Sequence, residues 1–599
     1  MMSEYLAPVK EIKFTLTYVV GIDEVVELEK YQDATDDIID AILIEGAKYA
    51  NEVLSPTNVA GDKEGSIWSG DGIKTATGFK EAYASYVQNG WKSICGDPEY
   101  GGQGLPQFLG LAITEMVASA NMAFSLCPIL SGSAIEALEA HGSDEQKAKY
   151  LEKLISGEWN GSMQLTEANA GSDVGAMTTK ASKNENGTYN IKGQKIFITY
   201  GEHDMTDNII HFVLARMDDA PAGTKGLSLF IVPKFFVNDD GSLGAHNHAY
   251  SVSIEHKMGI HGSPTSVMSF GEKGDCIGYL IGGENKGINA MFTMMNNARL
   301  NIGLQGLACS QRAYQMALEY AKERVQGVSV KTGAAKSTII NHPDVRRMLM
   351  TIKSTTEAVR SIAYLNINAL DLSQNHPDQD IRDKNKGLAD LLTPLSKAYG
   401  TDLGVENSSL ALQVFGGMGY MEETGIAQIY RDARINPIYE GTNGIQAMDL
   451  VGRKLAMDGG KHWKSLLKEI REFNAALPAS EEFAIIKTSL ENLVDHSEEC
   501  ANWLAAEFKQ NPSNALCGSV PFLRLLSTTI GCYLMAKGAL CARNRLDNGD
   551  EDKDFLNSKI VTSRYYAQQI APTVLNLKPS IMSGDELFFA INEEYMAFL

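Results

Sequence analysis

The apolar pattern of this chain changes period twice, and that sets the kind of fold it can adopt. Over residues 33–156 apolar side chains recur at helical spacing, with Ile38, Ile39, Ile42 and Leu43 as one stripe and Leu109, Ile113 and Val117 as another. Near Trp159 the pattern breaks into short strand-like runs, at 177–182, 189–191, 196–199, 209–215 and 227–233. Asn186-Gly187 lies between the first two as a hairpin signal. Helical spacing then returns: Ile288, Met291, Phe292 and Met295 follow i, i+3, i+4, i+7, as do Ala313, Met316, Ala317 and Tyr320. The β stretch, to about residue 281, has no room for crossover helices and reads as a compact antiparallel domain. The order helical, β, helical makes the fold class α+β rather than alternating βαβ.

Gly459-Gly460 breaks the second helical region, and helical stripes resume from Trp463 to the end. The expected organisation is an N-terminal extension (1–34), a helical N-terminal domain (35–158), a central antiparallel β domain (159–281), a helical bundle (282–456) and an additional C-terminal helical domain (463–599). A length of 599 residues suits three or four such parts. Within the first helical region, Gly96-Asp97-Pro98-Glu99-Tyr100-Gly101-Gly102-Gln103-Gly104 must be irregular.

Charge and cysteine usage exclude several functions. With 53 Lys and Arg against 74 Asp and Glu, the net charge is −21, which argues against nucleic acid or an anionic membrane surface as the main partner. The eight cysteines show no C-x-x-C spacing, so they read as buried thiols in a reducing compartment. No stretch of 18 apolar residues stands out, and the first 14 residues do not read as a signal peptide, so the protein is expected to be soluble and cytoplasmic, without a membrane span. Neither G-x-x-x-x-G-K-[ST] nor H-E-x-x-H occurs. Gly416-Gly417-Met418-Gly419 follows a helix and lacks dinucleotide-fingerprint spacing. The 11 histidines form no ligand-spaced pair, so no metal is expected, and His256 and His261 read as parts of a structured turn.

Three segments carry chemistry. In Ile438-Tyr439-Glu440-Gly441-Thr442-Asn443-Gly444-Ile445-Gln446 a carboxylate precedes a Gly and a capping pair, which places Glu440 at the mouth of a helix. A base there can work beside a developing enolate, with backbone donors where negative charge appears. The same pattern also fits an exposed Glu in a turn. Met163-Gln164-Leu165-Thr166-Glu167-Ala168-Asn169-Ala170-Gly171-Ser172-Asp173 can offer hydroxyl and N–H donors to a flat heterocycle, or be an ordinary loop. In Lys195-Ile196-Phe197-Ile198-Thr199 an aromatic and a hydroxyl share one strand face, as a flavin ring would need and as core plus rim would also give.

Taken together, these segments resemble the acyl-CoA dehydrogenase family over about residues 35–455. Four motifs stand in the family's order: T-E-x-x-A-G-S-D (Thr166 to Asp173), [WF]-I-T (Phe197 to Thr199), Q-V-x-G-G (Gln413 to Gly417) and Y-E-G-T (Tyr439 to Thr442). The extra C-terminal domain is similar to that of the family's long bacterial branch, which includes the 3-methylmercaptopropionyl-CoA dehydrogenases. The resemblance implies FAD as cofactor, Glu440 as the base that takes the α-proton of an acyl-CoA, and hydride passing to the flavin to leave a 2-enoyl-CoA. It implies that Met163, Leu165, Thr166, Ser172, Phe197 and Thr199 line the flavin. Arg324, Gln326, Gln413, Gly417, Thr442 and Gly444 would complete the FAD contacts, some of them on a neighbouring subunit, so a homodimer or homotetramer is implied. Ser172, Asn296, Arg299 and Gly441 fall where the family contacts acyl-CoA, and the depth of the acyl pocket depends on how the segments around 90–107 and 290–299 pack. Phe197 replaces the Trp of shorter members, where stacking survives. Asn296 stands where those members often have Asp, and the loop at 328–341, between Arg324 and His342, is longer than theirs. An electron-transfer flavoprotein is the implied acceptor. The alternatives are an acyl-CoA oxidase that passes electrons to O2 and a flavin-free scaffold that binds CoA thioesters.

Overall fold

The computed structural model describes residues 4–70 and 72–597. Contacts divide the chain into two compact units, one made of residues 33–301 with 4–7, the other of 8–32 with 302–599. Its principal helices are α1 (Asp36–Lys48), α2 (Phe79–Gln88), α3 (Gln107–Ala120), α4 (Met122–His141), α5 (Asp144–Ser156), α6 (Gly287–Glu323), α7 (Pro343–Asn375), α8 (Gln379–Phe415), α9 (Asn443–Asp449), α10 (Lys461–Ala476), α11 (Glu481–Gln510), α12 (Ser519–Asp547) and α13 (Lys553–Tyr565). The division between units falls within α6.

In the unit of 33–301, local chemistry sets the helix ends. Thr35 caps α1, Asn121 caps α4, and Ser143 with Gln146 forms a reciprocal capping box on α5. Gly157, at φ 89°, ends α5 in the left-handed conformation and turns the chain into the sheet.

Eight strands follow: β1 (Trp159–Gln164), β2 (Lys180–Lys183), β3 (Tyr189–Thr199), β4 (Asn208–Met217), β5 (Leu227–Pro233), β6 (Ala249–Ile254), β7 (Thr265–Phe270) and β8 (Ile277–Ile281). Their order is β6-β7-β3-β8-β5-β4-β1, with β2 paired to β3 and β4. The Asn186-Gly187 hairpin forms as expected, with Gly187 at φ 82° and β2 antiparallel to β3. The sheet is not wholly antiparallel, however: β1 and β2 each run parallel to β4. The reason is geometric. β1 pairs with Asn208–Val213 and β2 with Arg216 and Met217, so the two lie along one edge of β4, interrupted by the loop 165–179. One reversed strand, β3, then brings the chain back in the original direction.

Alternation along β4 sends Ile210, Phe212 and Leu214 into a core shared with Leu138, Leu151, Leu154, Met291 and Met294 of the helices. Val213 and Ala215 point the other way, to Ile191, Phe230, Val232 and Phe270. Both faces of the sheet are therefore covered.

In the second unit α6 and α8 approach through glycine. A Cβ on Gly306 would lie 2.1 Å from the Gly400 carbonyl oxygen, and one on Gly303 2.3 Å from that of Ser396. The N-terminal segment packs here and not as a separate extension. Tyr31 donates to Asp371 at 3.0 Å, and Lys559 of α13 is buried between Glu11 and Glu357, the latter also paired with Lys353 of α7 at 2.5 Å. Asp458, Gly459 and Gly460 all take positive φ, which makes the break expected before α10.

Among the described residues two helices, α4 and α12, are long and apolar enough to cross a membrane, and 83% of each apolar window is buried inside the protein, as in core helices. No such stretch stands out in the sequence, because scattered Ser, Thr, Gly and charged residues interrupt the apolar runs without raising their polarity much. The eight cysteines are free; Cys95, Cys517 and Cys541 are only half-buried, against the expectation of burial throughout.

Candidate active site

Glu440 stands in a turn whose neighbours are fixed on both sides. Thr442 caps α9 by accepting from the Ile445 amide at 3.2 Å. The Asn443 amide donates to the Pro437 carbonyl at 3.0 Å, closing the turn. The Asn443 side chain donates to Asp402 at 2.7 Å and to Thr401 at 3.0 Å, and accepts from Lys397 at 2.8 Å, which locks α9 to α8. On the other side Tyr439 donates its hydroxyl to Gln305 of α6, and burial, with Glu440 beside it, holds that hydroxyl protonated far above the usual range.

Between these anchors Glu440 is half-buried and takes φ 54°, followed by Gly441 at φ 83°. A left-handed glutamate costs roughly 1–2 kcal/mol and persists only where the surroundings impose it. The helix mouth expected from the sequence is present, and its carboxylate is presented by a strained backbone.

In the unit of 33–301 the loop 165–179 and strand β3 are tied by a buried ion pair that the sequence reading did not single out. Lys195 Nζ lies 2.9 Å from Glu167 and donates to the Leu165 carbonyl at 3.0 Å. Glu167 also accepts from the Thr178 amide and hydroxyl, at 2.6 and 2.7 Å, and from the Thr179 amide at 3.0 Å. Burial opposes its charge, yet Lys195 and these donors hold the carboxyl at about 2. The Ile196 amide donates to the Thr166 carbonyl at 2.8 Å, so Leu165 and Thr166 are brought directly against the strand that carries Phe197 and Thr199.

At Phe197 the β3–β7 register shifts, and the residue takes φ 59°. A bulge of this kind re-aims a side chain. The Phe197 ring is 58% exposed, Thr199 is half-buried, and Ile198 between them goes to the core. A large aromatic held outward beside two hydroxyl residues fits a flat stacking ligand. Met163 belongs to the core cluster, and Ser172 is exposed on the loop. On α6, Arg299 is buried and Asn296 exposed.

The remaining residues lie in the second unit. Arg324 and Gln326 are exposed at the root of a hairpin formed by the bridges Val325–Thr338 and Val328–Ala335. His342 bonds the Gln326 carbonyl at 2.7 Å. Gln413 and Gly417 are exposed at the end of α8. Tyr320 stacks on Phe415 with centroids 4.2 Å apart, which sets the hairpin root beside the Gln413 turn. Gly444 is exposed, and Gly441 and Thr442 half-buried.

The chain matches the N-terminal domain of acyl-CoA dehydrogenase over residues 70–158, the middle domain over 162–272, the C-terminal domain over 285–455 and an acetyl-CoA dehydrogenase C-terminal-like domain over 466–592. The chain belongs to the acyl-CoA dehydrogenase family. It is 42% identical to the 3-methylmercaptopropionyl-CoA dehydrogenase of Ruegeria pomeroyi, over 94% of this chain and 96% of that one. It is 36% identical to a butyryl-CoA dehydrogenase of Syntrophomonas wolfei, over 98% and 99% respectively. The fold matches that of an acyl-CoA dehydrogenase from Bacillus anthracis solved in complex with FAD, at a TM-score of 0.72 and 21% identity over 97% of this chain and 93% of that one. As a member of this acyl-CoA dehydrogenase family the protein is an oxidoreductase with FAD as cofactor.

Proposed function

We propose that this enzyme removes the α-proton and β-hydride of an acyl-CoA thioester, with Glu440 as the base. The observation that carries the proposal is the left-handed, half-buried Glu440 held between the Tyr439 and Asn443 anchors. Such a base needs a fixed direction more than flexibility, because its carboxylate must meet one C–H bond. The Glu440 backbone N–H supplies a donor for the thioester oxygen as charge develops. Arg299, Asn296, Ser172 and Gly441 position the CoA thioester. FAD, when bound, accepts the hydride, while Thr166, Ser172, Phe197 and Thr199 with Met163 and Leu165 hold its ring. The product is a 2-enoyl-CoA, and the electrons pass on to an electron-transfer flavoprotein.

The relatives' names support short chains as substrates, 3-methylmercaptopropionyl-CoA or a fatty acyl-CoA such as butyryl-CoA. Anaerobic mixing of the purified yellow protein with these thioesters should bleach the flavin within the turnover time, and NAD should not substitute. In air, rapid peroxide formation without an added acceptor would make the protein an oxidase instead.

The assembly follows the same logic. Arg324, Gln326, Gln413 and Gly417 stand exposed together with Val325, Val328, Val330, Met418, Tyr420 and Met421. Apolar exposure around cofactor-binding residues suits a homodimer or homotetramer in which these groups complete a neighbour's FAD site. Whatever binds only the assembled form stabilises it. Removing FAD should therefore weaken association in sedimentation, and a fully active monomer at assay concentration would contradict the shared site.

A further inference from the structure

Within the second unit, α8, α9, α12 and the short helix Ala571–Leu575 enclose a cavity of about 410 Å3 that the proposed chemistry does not use. That volume falls among those of small-molecule sites, roughly 300–1,000 Å3. Two of its walls, α8 and α9, belong to the domain matched over 285–455, and the other two to the domain matched over 466–592. The lining includes Asn443 and neither Thr442 nor Gly444, so the space stands apart from the positions proposed to meet FAD.

The additional domain supplies an apolar wall of Val520, Leu523, Val574 and Leu577, with Val520 53% exposed. Three charged side chains face the same space: Asp402, Glu406 and Arg524. Arg524 donates to both oxygens of Glu406, at 3.0 and 2.8 Å, and its guanidinium lies over the Tyr399 ring, 5.1 Å from the centroid. That bidentate pair satisfies the guanidinium within the protein. Asp402 is left differently. It is half-buried, accepts from the Asn443 amide at 2.7 Å and forms no ion pair among the described residues. Burial raises its carboxyl above the usual value, and Arg524 and Lys397 offset this only through space. The lining therefore holds one carboxylate in excess, beside an apolar wall.

We propose that this cavity binds a small organic cation, with an ammonium head on Asp402 and an apolar body against Val520, Leu523, Val574 and Leu577. A carboxylate accepts about four hydrogen bonds, and Asn443 supplies one. An ammonium brings both further donors and the opposite charge. An anion would meet two carboxylates, and a neutral polar group would leave the charge of Asp402 unpaired. The inference does not depend on the acyl-CoA reading above.

The test titrates the FAD-loaded enzyme calorimetrically at neutral pH with two probes of nearly equal shape, 2-phenylethylammonium and 2-phenylethanol. Wild type should bind the ammonium about ten to a hundred times tighter than the alcohol, the range of a hydrogen bond to a charged group. Asp402→Asn keeps an acceptor for Asn443 and removes the charge, so the two probes should then bind alike. Val520→Trp fills the space from an exposed position and should weaken both probes without changing the melting temperature much. No binding of the ammonium, equal affinity for both probes in wild type, or undiminished discrimination in Asp402→Asn overturns the proposal. Where Asp402→Asn does not fold, Val520→Trp decides, and wild-type ammonium affinity in that variant overturns the proposal as well.

Discussion

Glu440→Gln should bind acyl-CoA and perturb the flavin spectrum as wild type does, yet reduce the flavin several orders of magnitude more slowly. The loss should exceed the factor of about 100 to 10,000 of ordinary general catalysis, because proton abstraction itself is removed. Glutamine keeps the size of the side chain and faces the same left-handed backbone, so folding and FAD content should not change. Glu440→Gly separates the two roles of the position further. It relieves a left-handed non-glycine residue, worth about 1 kcal/mol, so melting temperature should rise while turnover vanishes. Flavin reduction near the wild-type rate in Glu440→Gln, under anaerobic mixing, would return Glu440 to the status of a helix-entry residue.

The second large effect concerns the ion pair under the loop 165–179. Lys195→Met leaves the Glu167 carboxylate buried with only Thr178 and Thr179 as donors, and Glu167→Ala leaves a buried ammonium facing the Leu165 carbonyl. Removing one partner of such a pair costs about 3–5 kcal/mol, whereas replacing both with apolar groups is often neutral. Each single variant should therefore lose FAD and melt earlier, and Glu167→Leu with Lys195→Met should recover most of the stability.

The pair also has an acid signature. Glu167 is held at about 2 in the folded protein, below the value of about 4.3 for an unfolded chain. Its contribution is complete above about pH 4.3 and is lost progressively as pH falls toward about 2. Acid titration of wild type against the double variant should show the difference confined to that window.

What could be read from the sequence was local. Asn186-Gly187 demanded positive φ and gave the hairpin, and Thr442 beside Gly441 gave the helix mouth behind Glu440. Each of these signals acts over a few residues. The parallel pairing of β1 and β2 with β4 depends on strands separated by a loop and a hairpin, and no short pattern encodes it. Glu167 and Lys195 are 28 residues apart, each beside a motif that was recognised, yet a charged residue on a strand or loop ordinarily reads as solvated. Opposite signs flanking the two motifs were the available clue. Tyr320 likewise reads as a helix stripe residue, and its stacking on Phe415 is visible only once α6 and α8 meet.

The seating of residues 8–32 in the second unit has a consequence for the order in which the chain is made. Glu11 leaves the ribosome 548 positions ahead of its partner Lys559. At roughly 5–20 residues per second, that interval is on the order of half a minute to two minutes. Throughout it Ile12, Phe14, Leu16, Val19 and Val20, all buried in the finished protein, have no complete surface to cover them. The unit of residues 33–301 can close around its own sheet in the meantime. Residues 8–32 are thus synthesised ahead of the unit of 33–301 and packed after it, and a nascent chain stalled before α13 should display that apolar stretch to any chaperone that binds exposed hydrophobic segments.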